Sequence, residues 1–393
     1  MLIADPREVR PRQFVTVRSR YFWAAPVLLL GGTSALVVPL GLPYDEPSHW
    51  QYVLHVASTW TLPVVGADPS ISHEGVQAPL TYLLYALVAR VVQLLGGDQT
   101  TQFLASRALA VVWLWLCCTL LEHVVRRAAP NATSLAVRTG VGVTLLNPVV
   151  VAVGSSVQND VPALAVAAAV FYVAFTPGRH VPVTTGLLIG LTLLTKVTMW
   201  PVAVVAGVFL LRRHGWRAAT VTTGVATAVF GWWLVRNELL YGDLTGASAI
   251  SRIGVEFPPL GWHGLATPVH LARSTVTFLW IPVEYYRNTI TAPLWIEAVV
   301  VAATALVIVT GWRHLRSPGV EARALLASAS IAVVTWAATD IWFEGSSFRI
   351  AYLALPAWAV AVAGACERRR IAGLLVGTTG LLTVWSLWSV VFL

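Results

Sequence analysis

Charge is what this sequence has least of. Asp, Glu, Lys and Arg make up 11% of its 393 residues and hydrophobic side chains 57%, against about 25% charged residues in a soluble domain. A chain so poor in charge has no means of covering a water-facing surface, which excludes an ordinary soluble fold. Runs of roughly 20 apolar residues recur from Tyr21 onward, and no polar block between them is long enough to fold apart. Cysteine is scarce as well. Cys117 and Cys118 are neighbours in one apolar run and Cys366 closes another, so no disulfide framework follows. Lysine occurs once, as Lys196. What remains is an all-α polytopic membrane protein with a single integral-membrane domain over 21–393, behind a basic tail over 1–20.

The few charges are unevenly placed, and their placement gives a topology. The tail carries Arg7, Arg10, Arg12, Arg18 and Arg20 before an apolar run too long for a signal peptide, with no small-residue cleavage site ahead of the first acidic pair. With that tail inside, spans at about 21–42, 104–125, 135–153, 161–176, 181–196, 197–211, 218–236, 291–311, 322–339, 348–366 and 371–392 make eleven crossings. This scheme puts 18 of the 26 basic residues inside and 12 of the 18 acids outside. The net charge of +8 then belongs to the cytoplasmic face and not to a nucleic-acid site. Two apolar stretches, 79–95 and roughly 269–286, are left lying along the outer interface. Gly186/Gly190 and Gly373/Gly377 have the spacing of closely packed helices.

Pro43-Tyr44-Asp45-Glu46-Pro47-Ser48-His49-Trp50 follows the first apolar run and sets two carboxylates where that run leaves the membrane. Pro47 suits a first helical turn, which places Glu46 near the N-cap with Asp45 just ahead of it. Trp50, Val53, Leu54 and Ala57 then recur at helical spacing while His49 and Tyr52 point elsewhere, the pattern of an interfacial helix. The competing reading makes Asp-Glu-Pro a helix start and nothing more. The same loop holds His73, Glu74 and Gln77. These polar groups are suited to substrate, and Asp45, Glu46, His49, His73 and Glu74 are also competent ligands for a divalent ion such as Mg or Mn. Asn159-Asp160 in the second outer loop either caps the next helix or faces the same space. Lys196, near a span end, either snorkels to headgroups or meets an anion. Arg236 and Arg349 are cations on the side where the charge rule disfavours them; for Arg349, Glu344 and Asp340 compete with a lipid phosphate as partner.

Taken in order, these elements resemble the GT-C superfamily of polyprenyl-phosphate-sugar-dependent glycosyltransferases, which includes protein O-mannosyltransferases and aminoarabinose transferases. The resemblance rests on Asp45-Glu46, Gln77-Ala78-Pro79-Leu80-Thr81-Tyr82, Asn159-Asp160, Gly190 to Lys196, and Arg236-Asn237 with Tyr241-Gly242-Asp243, so it covers about residues 20–246. The later helices, about 247–393, match loosely through Arg349 and Leu355-Pro356. It implies a bundle of about eleven transmembrane helices with interfacial helices in the first outer loop. It further implies Asp45 as catalytic base, Glu46 as its acidic neighbour, Asp160 lining the site, and Lys196, with Arg236 and Arg349, at the donor phosphate. His49, Tyr52, His73, Glu74, Gln77 and Asn159 are the remaining candidate substrate contacts. Ala78 departs from the family's proline, and the chain ends after the last apolar run where some relatives carry a soluble outer domain, which leaves the acceptor open.

The expected activity is transfer of one sugar from a polyprenyl-phosphate donor to an acceptor hydroxyl at the outer face of the cytoplasmic membrane, with inversion. A positioned carboxylate takes the hydroxyl's proton and cations meet the charge growing on the phosphate. The alternative is a multispan transporter or flippase for a lipid-linked sugar, whose groups would lie near the bilayer midplane on repeated helices.

Overall fold

A computed structural model of the chain describes residues 17–42, 45–280, 293–315, 318–343 and 348–391. The arginines of the tail up to residue 16, with Pro43, Tyr44, Glu284 and Glu344, lie outside the described residues. Seventeen helices follow one another: α1 (Val17–Val27), widened through Leu28–Gly32 into α2 (Thr33–Val37), α3 (Glu46–Thr59), α4 (Leu80–Leu94), α5 (Gln99–Ala128), α6 (Ser134–Leu145), α7 (Pro148–Gly154), α8 (Asp160–Ala174), α9 (Val181–Thr195), α10 (Pro201–His214), α11 (Trp216–Tyr241), α12 (Ala247–Arg252), α13 (Ala266–Phe278), α14 (Leu294–Leu315), α15 (Val320–Trp342), α16 (Leu355–Ala365) and α17 (Arg369–Val391). Single 3-10 turns occupy His73–Val76 and Val197–Met199, and a longer 3-10 stretch, Phe348–Ala354, leads into α16. Among the described residues six helices are long and apolar enough to cross a membrane, or seven if α6 and α7 form one bent span. The expected eleven spans are therefore not all present as full-length helices; Phe22–Val37, α8 and α9 are shorter apolar helices, and so is α4, expected to lie along the interface.

The span expected as continuous over 135–153 is broken, with α6 and α7 meeting at 68°. Pro148 cannot donate to the turn before it. Asn147 repairs the break from both sides: its Oδ1 accepts from Val150 N–H at 3.0 Å and its Nδ2 donates to Thr144 O at 2.7 Å. Such repair is what allows an interrupted helix to stay buried.

Small residues set how closely the central helices approach. A Cβ on Gly140 would come within 2.6 Å of Ala359 O, so α6 and α16 touch backbone to backbone, and Cβ atoms on Gly186 and Gly190 would come within 2.5 Å of Thr222 O and Val229 Cβ on α11. The first expected glycine pair is thus a packing seam. The second is not: a Cβ on Gly373 or Gly377 would meet nothing within 4 Å. One pole of the bundle is tied by the buried Glu122 of α5, which accepts from Trp23 Nε1 at 2.7 Å and pairs with Arg126 at 2.6 Å and Arg138 at 3.3 Å.

At the other pole α3 is covered on more than its apolar side. Trp50, Val53 and Ala57 are buried as the spacing predicts, but so are His49 and Tyr52, because α4 and the 73–76 turn lie over that face. Tyr52 stacks on Tyr82 with ring centroids 4.0 Å apart. The helix is consequently enclosed within the protein as well as anchored at its surface.

Candidate active site

The first loop, the start of α8, the turn after α9 and the 3-10 stretch before α16 converge on a row of alternating charges. Arg349 Nη2 donates to Asp45 Oδ2, while its Nη1 donates to Gln158 Oε1 at 2.9 Å and to Asp160 Oδ2 at 3.3 Å. Lys196 Nζ donates to Asp160 Oδ1 at 2.7 Å. The order is Asp45, Arg349, Asp160, Lys196. Asp160 is fully buried, while Asp45 and Arg349 keep 12% and 13% of their side chains exposed. Lys196 keeps 11%, so the row is closed at its acidic centre and partly open at both ends.

Two helix-start readings fail here. Asp45 occupies the N-cap of α3 and Asn159 the N-cap of α8, and neither side chain makes a capping bond. Asp45 turns to Arg349. Asn159 Nδ2 donates to Tyr82 OH at 3.3 Å and to Gln77 Oε1 at 3.5 Å. Snorkelling of Lys196 fails likewise, since its ammonium turns inward to a carboxylate instead of outward to headgroups.

A second layer lies beside Asp45. His49 Nδ1 is 2.7 Å from Tyr82 OH and 3.7 Å from Glu74 Oε2, and His73 Nε2 is 3.4 Å from Glu74 Oε1. Burial pushes the Glu74 carboxyl up, but His49, His73 and Lys196 outweigh it and hold it at about 2. Asp45, His49 and Glu74 each offer a ligand atom, all within 4.8 Å of one another. Tyr52 OH donates to Gln77 O at 3.3 Å, so the aromatic stack fixes the loop carrying Gln77.

Glu46 stands apart from its neighbour. It is fully buried, and Arg107 of α5 grips it twice, Nε to Oε1 at 2.9 Å and Nη2 to Oε2 at 2.5 Å, while Val157 N–H adds 2.8 Å to Oε1. Arg107 also donates to Ala35 O at 3.0 Å, Val38 O at 2.7 Å and Pro39 O at 3.2 Å. One ion pair thus joins the end of the first span, the start of α3 and the loop before Asp160. Arg107 holds both Glu46 oxygens, and the candidate ligands that lie together among the described residues are Asp45, His49 and Glu74, without Glu46. Arg107 is the residue that sequence reading missed. Its signal was there, a cation within an apolar run, which requires a buried partner.

Arg236 falls outside the row. It donates to Pro63 O at 2.7 Å and lies 4.8 Å over the Trp233 ring. The Tyr241-Gly242-Asp243 motif organises its own loop: Asp243 accepts from the backbone N–H groups of Thr245, Gly246, Ala247 and Ser248, and Tyr241 OH accepts from Val65 N–H at 3.2 Å. Burial pushes the Asp243 carboxyl up, but the hydroxyls of Ser248 and Thr245, followed by their backbone N–H groups, outweigh it and carry it far below the usual range.

Apolar helices thus surround a buried charge row at one pole of the bundle. Residues 76–339 match Glycosyltransferase family 87, and the chain belongs to that family. This sets aside the transporter alternative. The fold is similar to the crystal structures of ArnT from Cupriavidus metallidurans, bound to undecaprenyl phosphate (TM-score 0.60, 13% identity) and in the apo state (0.61, 14%), with 91% of this chain and 62% of ArnT covered. It is also similar to the Archaeoglobus fulgidus oligosaccharyltransferase in complex with Zn and sulfate, at TM-score 0.52 and 12% identity over 92% of this chain and 53% of that one. The chain therefore spans less than two thirds of the length of these neighbours. No curated protein sequence matches it.

Proposed function

We propose that this membrane glycosyltransferase moves a single sugar from a polyprenyl-phosphate carrier to an acceptor hydroxyl at the outer face of the cytoplasmic membrane. The observation that carries the reading is the charge row, in which Lys196 and Arg349, the cations suited to a phosphate, are held beside the partly open carboxylate of Asp45. Binding of undecaprenyl phosphate by ArnT supports the choice of carrier. The acceptor oxygen attacks the anomeric carbon from the face opposite the carrier, giving inversion, and Asp45 takes the hydroxyl proton. The bond from the anomeric carbon to the phosphate oxygen breaks, the electron pair leaves with the polyprenyl phosphate, and Lys196 and Arg349 meet the charge it develops. A bound phosphate competes with Asp45 for Arg349, so arrival of the donor frees the base. Asp160 holds both cations in place, Glu46 orients the Asp45 loop through Arg107, and Arg236 fastens the first loop to α11. His49, Tyr52, His73, Gln77 and Asn159 line or shape the space beside the base.

The same site fits a divalent cation. Glu74 Oε2 is buried with no hydrogen-bond partner, and the set of two carboxylates and an imidazole suits Mn or Zn better than Mg. Asp45, His49 and Glu74 would hold the ion, which would supply Lewis-acid stabilisation of phosphate charge.

The test is transfer from radiolabelled polyprenyl-phosphate mannose, arabinose or glucose to candidate acceptors by purified protein, with and without chelator. Asp45→Asn should lower kcat by about 10²–10⁴-fold. Full transfer by a correctly folded Asp45→Asn protein removes Asp45 as the base. Activity restored by Mn after chelation supports the metal, and unchanged activity in chelator rejects it.

A further inference from the structure

The charge row occupies one pole of the bundle; a groove lies toward the other. Helices α10 and α15 enclose a groove of about 710 Å³ whose walls include Val204, Val208 and Ile331 and whose end carries Arg212, Arg213 and Arg323. Helix α10 begins at Pro201, beside the turn that follows Lys196. At 1.5 Å per residue, Arg212 is about 17 Å further along the helix axis.

We propose that this groove binds an anionic glycerophospholipid, with an acyl chain along the aliphatic walls and the phosphodiester on the arginines. The walls are apolar and partly exposed, Val204 and Val208 to 45% and 43%, as a surface facing hydrocarbon requires. The mouth is basic. Glu321 is the one acid lining the groove and pairs with Arg213 at 3.5 Å. Among the described residues no carboxylate pairs with Arg212 or Arg323. Two uncompensated guanidinium groups above an apolar slot complement a headgroup carrying a phosphodiester, which a guanidinium fork grips through two oxygens. Basic pockets between membrane helices bind anionic headgroups on this principle. The sugar donor is a poor occupant: with its phosphate at Lys196 and Arg349, it offers no second anion to a mouth about 17 Å away. A partner helix would need acidic groups aligned with both arginines while presenting only apolar side chains below them; a phospholipid presents both by construction.

Native mass spectrometry of the full-length protein, titrated with phosphatidylglycerol or phosphatidylcholine in detergent, tests the proposal. The wild type should retain phosphatidylglycerol over phosphatidylcholine. Each basic residue near an anionic lipid contributes about fivefold, so Arg212→Gln/Arg323→Gln should weaken phosphatidylglycerol roughly 30-fold and abolish the preference. Should the double variant fail to accumulate, each single variant should lose about fivefold, since both arginines are exposed and neither supports the core. Ala327→Phe, which fills the slot and leaves the arginines in place, should lose both lipids. Equal retention of the two lipids by the wild type, unchanged preference in the arginine variants, or displacement of phosphatidylglycerol by equimolar polyprenyl phosphate overturns the proposal.

Discussion

Removing Arg107 should damage this protein more than removing any exposed arginine, and the loss should depend on Glu46. Arg107→Met deletes two bonds to the Glu46 carboxylate and three to the carbonyls of Ala35, Val38 and Pro39. It leaves Glu46, fully buried, with the Val157 N–H as its one remaining donor among these contacts. Breaking a buried pair from one side costs about 3–5 kcal/mol, chiefly because a charge is stranded. Glu46→Gln keeps the shape, strands the guanidinium less completely because three carbonyls still accept from it, and should cost about 2–3 kcal/mol. The double variant strands neither charge, so its loss should fall below the sum of the singles by about 2 kcal/mol or more. Reversible unfolding in mixed micelles titrated with SDS measures all four proteins. Losses under 1 kcal/mol for Arg107→Met, or additive losses in the double variant, would refute the claim that this pair fastens the Asp45 loop.

Lys196→Gln should raise the KM for the lipid donor at least tenfold while the KM for the acceptor stays within twofold; equal increases in both would make Lys196 a structural cation only. Glu74 should contribute to acid stability in a defined window. Its folded carboxyl titrates near 2, below the unfolded value of about 4.3, so its contribution is complete above that value and is lost as pH falls toward 2. Glu74→Gln should therefore destabilise at neutral pH, on the order of 2–3 kcal/mol, and flatten the melting-temperature profile over that interval; an unchanged acid limb contradicts the assignment. Gly190→Ala should cost about 1–3 kcal/mol through its clash with Val229, whereas Gly377→Ala should be neutral or gain up to about 1 kcal/mol. Comparable losses at both glycines would mean that α17 has a packing partner of its own.

The residues that could be picked out from sequence were charges in apolar surroundings, where burial makes any cation or carboxylate conspicuous. Lys196 stood out for that reason, Asp45 and Asp160 for their place in outer loops on one side, and Arg349 as a cation on the side the charge rule disfavours; the four form one row. Glu46 was paired with Asp45 by adjacency, but consecutive residues at a helix start point in different directions, and the two carboxylates meet different arginines. Arg107 was overlooked because it sits eight residues into α5, in a segment that periodicity alone describes well. Span limits were legible in the long helices. They were less so at Asn147-Pro148, where a continuous apolar run hides a bend of 68°. The cover over His49 and Tyr52 was beyond reach, since it depends on α4 folding back across α3 rather than on either segment's own pattern.

The contact between Asp45 and Arg349 joins residues 304 positions apart, and that separation is also an interval of time. At roughly 5–20 residues per second of synthesis, about 15–60 seconds pass between the emergence of the acid and that of its arginine. During that interval the first loop, α3 and Asp160 have already been made, and Lys196 arrives midway. A nascent chain in the membrane therefore carries the proposed base long before it carries the cation that pairs with it. The reactive pole becomes whole only near the end of translation, so a truncated product would hold the family's matched region, which ends at residue 339, and still lack a working centre.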